Sequence, residues 1–180
     1  MSAIDPVAVQ ARRWWWWLGV SAAIVIADQA TKFAVLVTLR PGDERVVTSF
    51  FSVVLAFNAG AAFSFLGNAA GWQRYLFSAF AVAAAAAIVW LLRRGGDAIY
   101  SAALSLILGG ALGNLWDRAT LGRVVDFLLV HDFLPRALPG VAWFDPFPAF
   151  NVADSAITIG AVLLIVDSFR QRQPRAAATR

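Results

Sequence analysis

The chain has 180 residues, of which 60% are hydrophobic, 14% charged and none cysteine, and its mean hydropathy is +0.68. Soluble domains are about 45–50% apolar, so the composition describes an integral membrane protein. Disulfides, thiolate nucleophiles and a histidine-rich metal site are excluded. The formal charge of +4 does not describe a nucleic-acid binder, because the basic residues cluster at the ends of apolar runs, where they set topology.

The opening 13 residues do not read as a cleavable signal, since the apolar stretch after Arg12-Arg13 is too long and ends in no small-residue cleavage site. Four runs have the roughly 20 residues that a helix needs to cross about 30 Å of hydrocarbon. They lie at about 14–36, 74–92, 98–116 and 149–169. The expected architecture is an all-α membrane protein, one membrane domain over 1–180, with a small extracytoplasmic β-sheet in its outer loops, about 40–67 and 117–148.

The first span opens on Trp14 to Trp17, an interfacial anchor beside two arginines. Further along, Asp28, Thr31 and Lys32 share a face at i, i+3 and i+4. Their expected role is structural, a self-neutralising ion pair that lets the helix end snorkel to the outer interface. In the first loop, Pro41-Gly42-Asp43-Glu44 signals a turn. Val46 to Thr48 and Phe50 to Phe57 are β-branched and aromatic, as strands are. Asn58-Ala59-Gly60-Ala61-Ala62-Phe63 follows. It suits the close approach of an extended peptide with Asn58 as clamp, and equally an ordinary glycine turn.

Arg93-Arg94-Gly95-Gly96-Asp97 joins the second and third spans in a tight hairpin. The third span ends Gly109-Gly110-Ala111-Leu112-Gly113-Asn114-Leu115-Trp116-Asp117-Arg118. Gly109 and Gly113 allow close helix approach, while Gly110, Asn114 and Arg118 line one stripe. Packing accounts for the glycines; Asn114, Asp117 and Arg118 together can anchor an amide or phosphate, or brace a carboxylate. Val124-Val125 is a candidate strand, Asp126 lies on it or just outside the membrane, and Pro135, Pro139-Gly140, Pro146 and Pro148 mark an irregular flap. His131 reads as an ordinary loop residue. In the fourth span Asn151, Asp154 and Ser155 share a face; Asn151 also fits a helix N-cap.

Eight arginines (Arg12, Arg13, Arg93, Arg94, Arg170, Arg172, Arg175, Arg180) fall on one side of the membrane with only Asp5, Asp97 and Asp167. The positive-inside bias therefore places both termini in the cytoplasm and both long loops outside. A carboxylate near hydrocarbon costs at least about 2.5–3.5 kcal/mol at a helix centre. Asp126 and Asp154, each alone, admit a structural or a functional reading. With Asn114 and Arg118 near them they favour a site.

The ordered set Asp28-Gln29-Ala30-Thr31-Lys32, Phe57 to Phe63, Gly109 to Arg118, Val124-Val125-Asp126-Phe127 and Phe150-Asn151-Val152-Ala153-Asp154-Ser155 resembles the motifs of bacterial lipoprotein signal peptidase (signal peptidase II). The resemblance runs from the first span to the fourth. It implies an inner-membrane aspartic peptidase, without cofactor or metal, that cleaves prolipoproteins before a diacylglyceryl-modified cysteine. It implies Asp126 and Asp154 as the catalytic dyad and Asn58, Gly110, Asn114, Arg118 and Asn151 as substrate-positioning or bracing residues. Asp28 and Lys32 take supporting roles, and Asp117 is grouped with them. The implied partners are lipidated prolipoproteins and membrane lipid, with a monomer expected and the site near the periplasmic surface. Ser64, where glycine is common, and the long stretch around Pro139 to Pro146 depart from the pattern. A small proton-coupled transporter and a non-catalytic scaffold are the competing readings.

Overall fold

The computed structural model describes residues 14–59, 72–132 and 146–172. In chain order these form α1 (Trp14–Thr38), β1 (Glu44–Thr48), β2 (Phe51–Asn58), α2 (Gln73–Arg94), α3 (Ala98–Thr120), β3 (Val124–Val130) and α4 (Val152–Arg172). All four helices are long and apolar enough to cross a membrane, and the strands make one antiparallel sheet in the order β1-β2-β3. The expected architecture of four spans with a small sheet is present.

α3 is the central helix and packs on α1, α2 and α4. Half of its apolar stretch is buried inside the protein, against 11–22% for the others, which leave Ile26, Phe33, Phe80, Trp90, Ile159 and Phe169 facing outward. Glycines permit this. A Cβ on Gly109 would lie 2.7 Å from Ile24 Cβ of α1, one on Gly110 would collide with the Ala153 carbonyl of α4, and one on Gly160 would lie 2.7 Å from the Ala103 carbonyl. The adjacent pair Gly109-Gly110 thus seats two different helices on α3.

Three boundaries differ from the sequence reading by three residues or more, among them the end of α4, which runs to Arg172 rather than 169. α3 continues one turn past the expected end to Thr120, because no breaker occurs before Gly122, whose φ is +72°. Asp117 and Arg118 are therefore helical residues, as the stripe of Gly110, Asn114 and Arg118 requires. α4 begins at Val152 rather than 149. Phe150 is bridged to Leu128 of the sheet, accepting hydrogen bonds from the Phe127 and Leu128 amides at 2.9 and 2.8 Å, and Pro148 shortly before it offers no N–H to a helix.

The sheet sits on the α1 end of the bundle. Val125 and Phe127 of β3 pack with Leu55 of β2 and Val35 of α1, so alternation turns Asp126 to the other face. His131 does more than occupy a loop: its Nε2 lies 2.9 Å from Ser52 Oγ and its Nδ1 3.1 Å from Asp132, pinning the end of β3 to β2. At the opposite end of the bundle, Arg93 stacks over Trp14 and Arg94 over Trp90, 4.9 and 3.6 Å from the ring centroids. This is the aromatic–basic pairing of an interfacial anchor. The expected flap lies outside the described residues for 133–145, as do residues 60–71, which include most of the glycine motif and Ser64.

Candidate active site

Asp126, Asp154, Asn114 and Asn151 converge where β3, α3 and the start of α4 meet. Asn151 is the hub. As the residue before α4 it caps the helix: its Oδ1 accepts the Asp154 amide at 2.9 Å, and Asp154 Oδ2 accepts the Asn151 amide at 3.3 Å. This reciprocal pattern is a capping box. The Asn151 side-chain nitrogen faces the other way, donating to Asp126 Oδ1 at 2.7 Å, to Asn114 Oδ1 at 3.1 Å and to the Val125 carbonyl at 3.1 Å. Asn114 Nδ2 then donates to Asp154 Oδ1 at 2.8 Å. Two asparagine amides thus connect the two aspartates.

Asn58 ends β2 two places beyond Ala56, the residue opposite Asp126. It is a diagonal neighbour on the same sheet face and hydrogen-bonds to the Asp126 carboxyl. Burial pushes the Asp126 carboxyl up to about 6, and the negative charge of Asp154 adds to this; the bonds from Asn58 and Asn151 and the Lys32 charge oppose it. Two carboxyls coupled in this way retain one proton between them more readily than both ionise. Such a pair can accept a proton from water at one oxygen and donate one at another.

Arg118, one turn beyond Asn114, reaches the Asn114 carbonyl at 3.4 Å and lies over Phe77, 5.5 Å from the centroid. Its guanidinium feels Asp154, Asp117 and Asp126. Gly110 is two turns below on the same stripe, but it is buried against Ala153 and Ile157 of α4. Its position is one of helix contact.

The expected Asp28–Lys32 pair exists at 2.8 Å but does not snorkel. Asp28 is 0% and Lys32 2% exposed, because both face α3 and find partners there. Lys32 Nζ is also 2.8 Å from Asp117 Oδ2 and donates to Asn114 Oδ1 at 3.0 Å, so its three N–H bonds all have acceptors. Thr31 takes no part, turning back to the Ala27 and Asp28 carbonyls. Asp117 Oδ2 accepts the Val125 amide at 3.0 Å. Gln29 is a participant that sequence reasoning misses: its amide nitrogen bridges Asp117 Oδ1 at 2.8 Å, the Gly113 carbonyl and Asp28. Its i, i+3 relation to Lys32 is the available signal.

A sequence model described as signal peptidase (SPase) II matches residues 20–170. The chain belongs to the signal peptidase II family. A lipoprotein signal peptidase of Ralstonia nicotianae is 53% identical over 155 residues, covering 86% of this chain and 84% of the relative. One of Burkholderia vietnamiensis is 51% identical, covering 86% and 87%. A bacterial membrane enzyme solved by the in meso method at 2.3 Å superimposes with a TM-score of 0.75 at 28% identity, covering 91% of this chain and 94% of its own. A second, at 1.9 Å, gives 0.71 at 30% identity, covering 86% and 92%. Membership of this family makes the chain a membrane peptidase, and the transporter alternative has no support.

Proposed function

We propose that this chain is an aspartic endopeptidase that removes the signal peptide from diacylglyceryl-modified prolipoproteins, with Asp126 and Asp154 as its catalytic pair. The observation that carries the reading is the amide-linked pairing of two carboxyls on one sheet face and one helix start. The ionised partner takes a proton from a water held between them; the protonated partner donates to the scissile carbonyl as the water oxygen attacks its carbon. The tetrahedral species then collapses with protonation of the leaving amine, and the pair returns to one shared proton. The two aspartates titrate as a unit, so the acid and base roles belong to the pair.

Arg118 is the cation available to the substrate backbone or to the developing oxyanion, and Asn58 stands at the strand end as an amide clamp. Asn114 and Asn151 set the orientation of the two carboxyls. The charge asymmetry of the sequence supports a cytoplasmic location for both termini and an outer, periplasmic location for the sheet end. A lipidated cysteine anchored by two acyl chains does not leave the bilayer readily, which favours lateral entry between helices.

The test is incubation of the purified protein with a diacylglyceryl-modified prolipoprotein beside its unlipidated form. Cleavage of the lipidated form alone is expected, and Asp126→Asn and Asp154→Asn should each abolish it while leaving folded, membrane-inserted protein. Normal processing by either variant would remove the assigned pair.

A further inference from the structure

The turn that carries the chain from α3 into β3, Thr120 to Arg123, is bordered by positive charge that the proposed catalytic site does not use. Arg74, on the first turn of α2, reaches across to it: its Nη1 lies 3.3 Å from where a Cβ on Gly122 would stand. Arg123 follows Gly122 directly, and its guanidinium lies over Phe57 of β2, 3.7 Å from the ring centroid. Both arginines are exposed.

Neither charge is answered within the protein. Among the described residues no carboxylate forms an ion pair with Arg74 or Arg123, and the first turn of α2 holds no acidic residue. The Arg74 guanidinium donates to the Tyr75 hydroxyl and stacks on the same ring, 4.4 Å from its centroid. No described residue accepts a hydrogen bond from the Arg123 guanidinium. Arg118, four residues before Gly122, is different, because it feels the charges of Asp154, Asp117 and Asp126. The uncompensated charge at this turn therefore belongs to Arg74 and Arg123.

Depth selects the partner. Trp72 and Tyr75 at the start of α2 and Trp116 near the end of α3 are 48%, 64% and 59% exposed. Indole and phenol rings at the ends of membrane-spanning helices mark the depth of the lipid headgroups. The anion abundant there is the lipid phosphodiester, which a guanidinium binds with its fork of N–H donors. We infer that Arg74 and Arg123 bind the phosphodiester of an anionic phospholipid of the phosphatidylglycerol class. The Tyr75 hydroxyl proton is a further donor, and the acyl chains lie along the outward face of α2, where Leu76 and Phe80 are exposed. A head that also carries an ammonium would set a third cation against two arginines that no carboxylate offsets. Free phosphate has the charge but no apolar part to lie on α2.

The test reads unfolding of the full chain in detergent, not cleavage, and so stands apart from the catalytic proposal. The midpoint is measured with dioctanoyl phosphatidylglycerol, with its phosphatidylcholine counterpart and with glycerol phosphate. The anionic lipid should raise the midpoint by roughly 2–5 °C near saturation, as binding to the folded state does, and the other two should not. Replacing both arginines, Arg74→Gln with Arg123→Gln, should abolish the rise, measured against the variant's own lipid-free value; both side chains are exposed, so the change does not burden the fold. Arg93→Gln with Arg94→Gln removes the same charge from the opposite end of the bundle and should keep the rise. An equal rise with the choline lipid or with glycerol phosphate, no rise with any of the three, a rise that survives without Arg74 and Arg123, or its equal loss without Arg93 and Arg94 would overturn the assignment.

Discussion

The Asp28 carboxylate accepts the backbone N–H of Ala153 at 2.9 Å, across 125 positions of sequence. It has a counterpart in Asp117, which accepts the N–H of Val125 at 3.0 Å. Each interaction holds the N–H of the residue immediately before one aspartate of the proposed pair, Asp154 in the first case and Asp126 in the second. Lys32 bridges the two holding carboxylates at 2.8 Å each. The separation of Asp126 and Asp154 is therefore tied to a single buried ammonium.

Lys32→Met keeps much of the side-chain volume and removes the ammonium that both buried carboxylates contact. Breaking a buried pair from one side costs about 3–5 kcal/mol. A loss of that order is expected in equilibrium unfolding, with cleavage activity falling as well. Adding Asp28→Asn should recover part of the loss, since one stranded charge is then removed. Simple additivity of the two losses in a double-mutant cycle would show that the residues are not coupled as the distances require.

Asp126 makes stability depend on pH with an unusual sign. Burial holds its folded-state pKa at about 6, above the ordinary carboxylate range. The folded state thus holds the proton more tightly than the unfolded state does. Its contribution is fully present below about pH 4 and is lost as pH rises through about 6. A tenfold difference in proton affinity between the two states is worth about 1.4 kcal/mol, so the loss is on the order of 2–3 kcal/mol. Asp126→Asn should flatten the stability profile between pH 4 and 7 and unfold at a higher temperature than the parent at pH 7.5, while being inactive. An unchanged profile in this variant would contradict the pH dependence assigned to Asp126.

Asn151 performs two tasks that substitution can separate. Serine is a good N-cap but has no amide to link Asp126 with Asn114. Asn151→Ser should therefore keep α4 capped but lose about 1.5–3 kcal/mol of stability, because buried acceptors on Asp126, Asn114 and Val125 lose their donor. Losing a hydrogen bond to a charged group, worth about 1.5–3 kcal/mol, should lower kcat roughly 10–100-fold. Parallel unfolding and steady-state cleavage measurements decide this. A stability loss that accounts for the whole activity loss would reduce Asn151 to a cap.

Much of this is legible in the sequence, for identifiable reasons. Span lengths follow from hydropathy, and the sheet follows from the β-branched runs around Val46 and Val53. Asp126 and Asp154 stand out because a carboxylate beside hydrocarbon is costly. The depth of the Asp28–Lys32 pair is not legible: i, i+4 spacing establishes the pair, but only the close approach of α3 across Gly109 and Gly113 decides that it is buried. Gln29 and the two backbone holds are likewise hidden, because a carboxylate accepting a distant peptide N–H leaves no periodic trace. Hydropathy also starts α4 three residues early, since it does not register that Phe150 pairs with the sheet.

The glycines of the α3–α4 contact offer a test that separates packing from positioning. A Cβ on Gly110 would meet the Ala153 carbonyl and lie 2.7 Å from Ile157, while a Cβ on Gly160 would lie 2.7 Å from both the Ala103 carbonyl and Ile107. Both alanine variants force the same two helices apart and should each cost about 1–3 kcal/mol, as overpacking does. Gly110 lies one turn from Asn114 and directly against the residue before Asp154, whereas Gly160 is nearly two turns along α4 from Asp154. The displacement at Gly110 should stretch the 2.8 Å Asn114–Asp154 bond and the Asp28–Ala153 hold; that at Gly160 should leave them intact. Gly110→Ala is thus expected to lose at least about 10-fold in kcat, and Gly160→Ala to lose stability with kcat within about twofold. Equal kcat in the two variants at temperatures where both are folded would mean that the helix contact does not set the geometry of the pair.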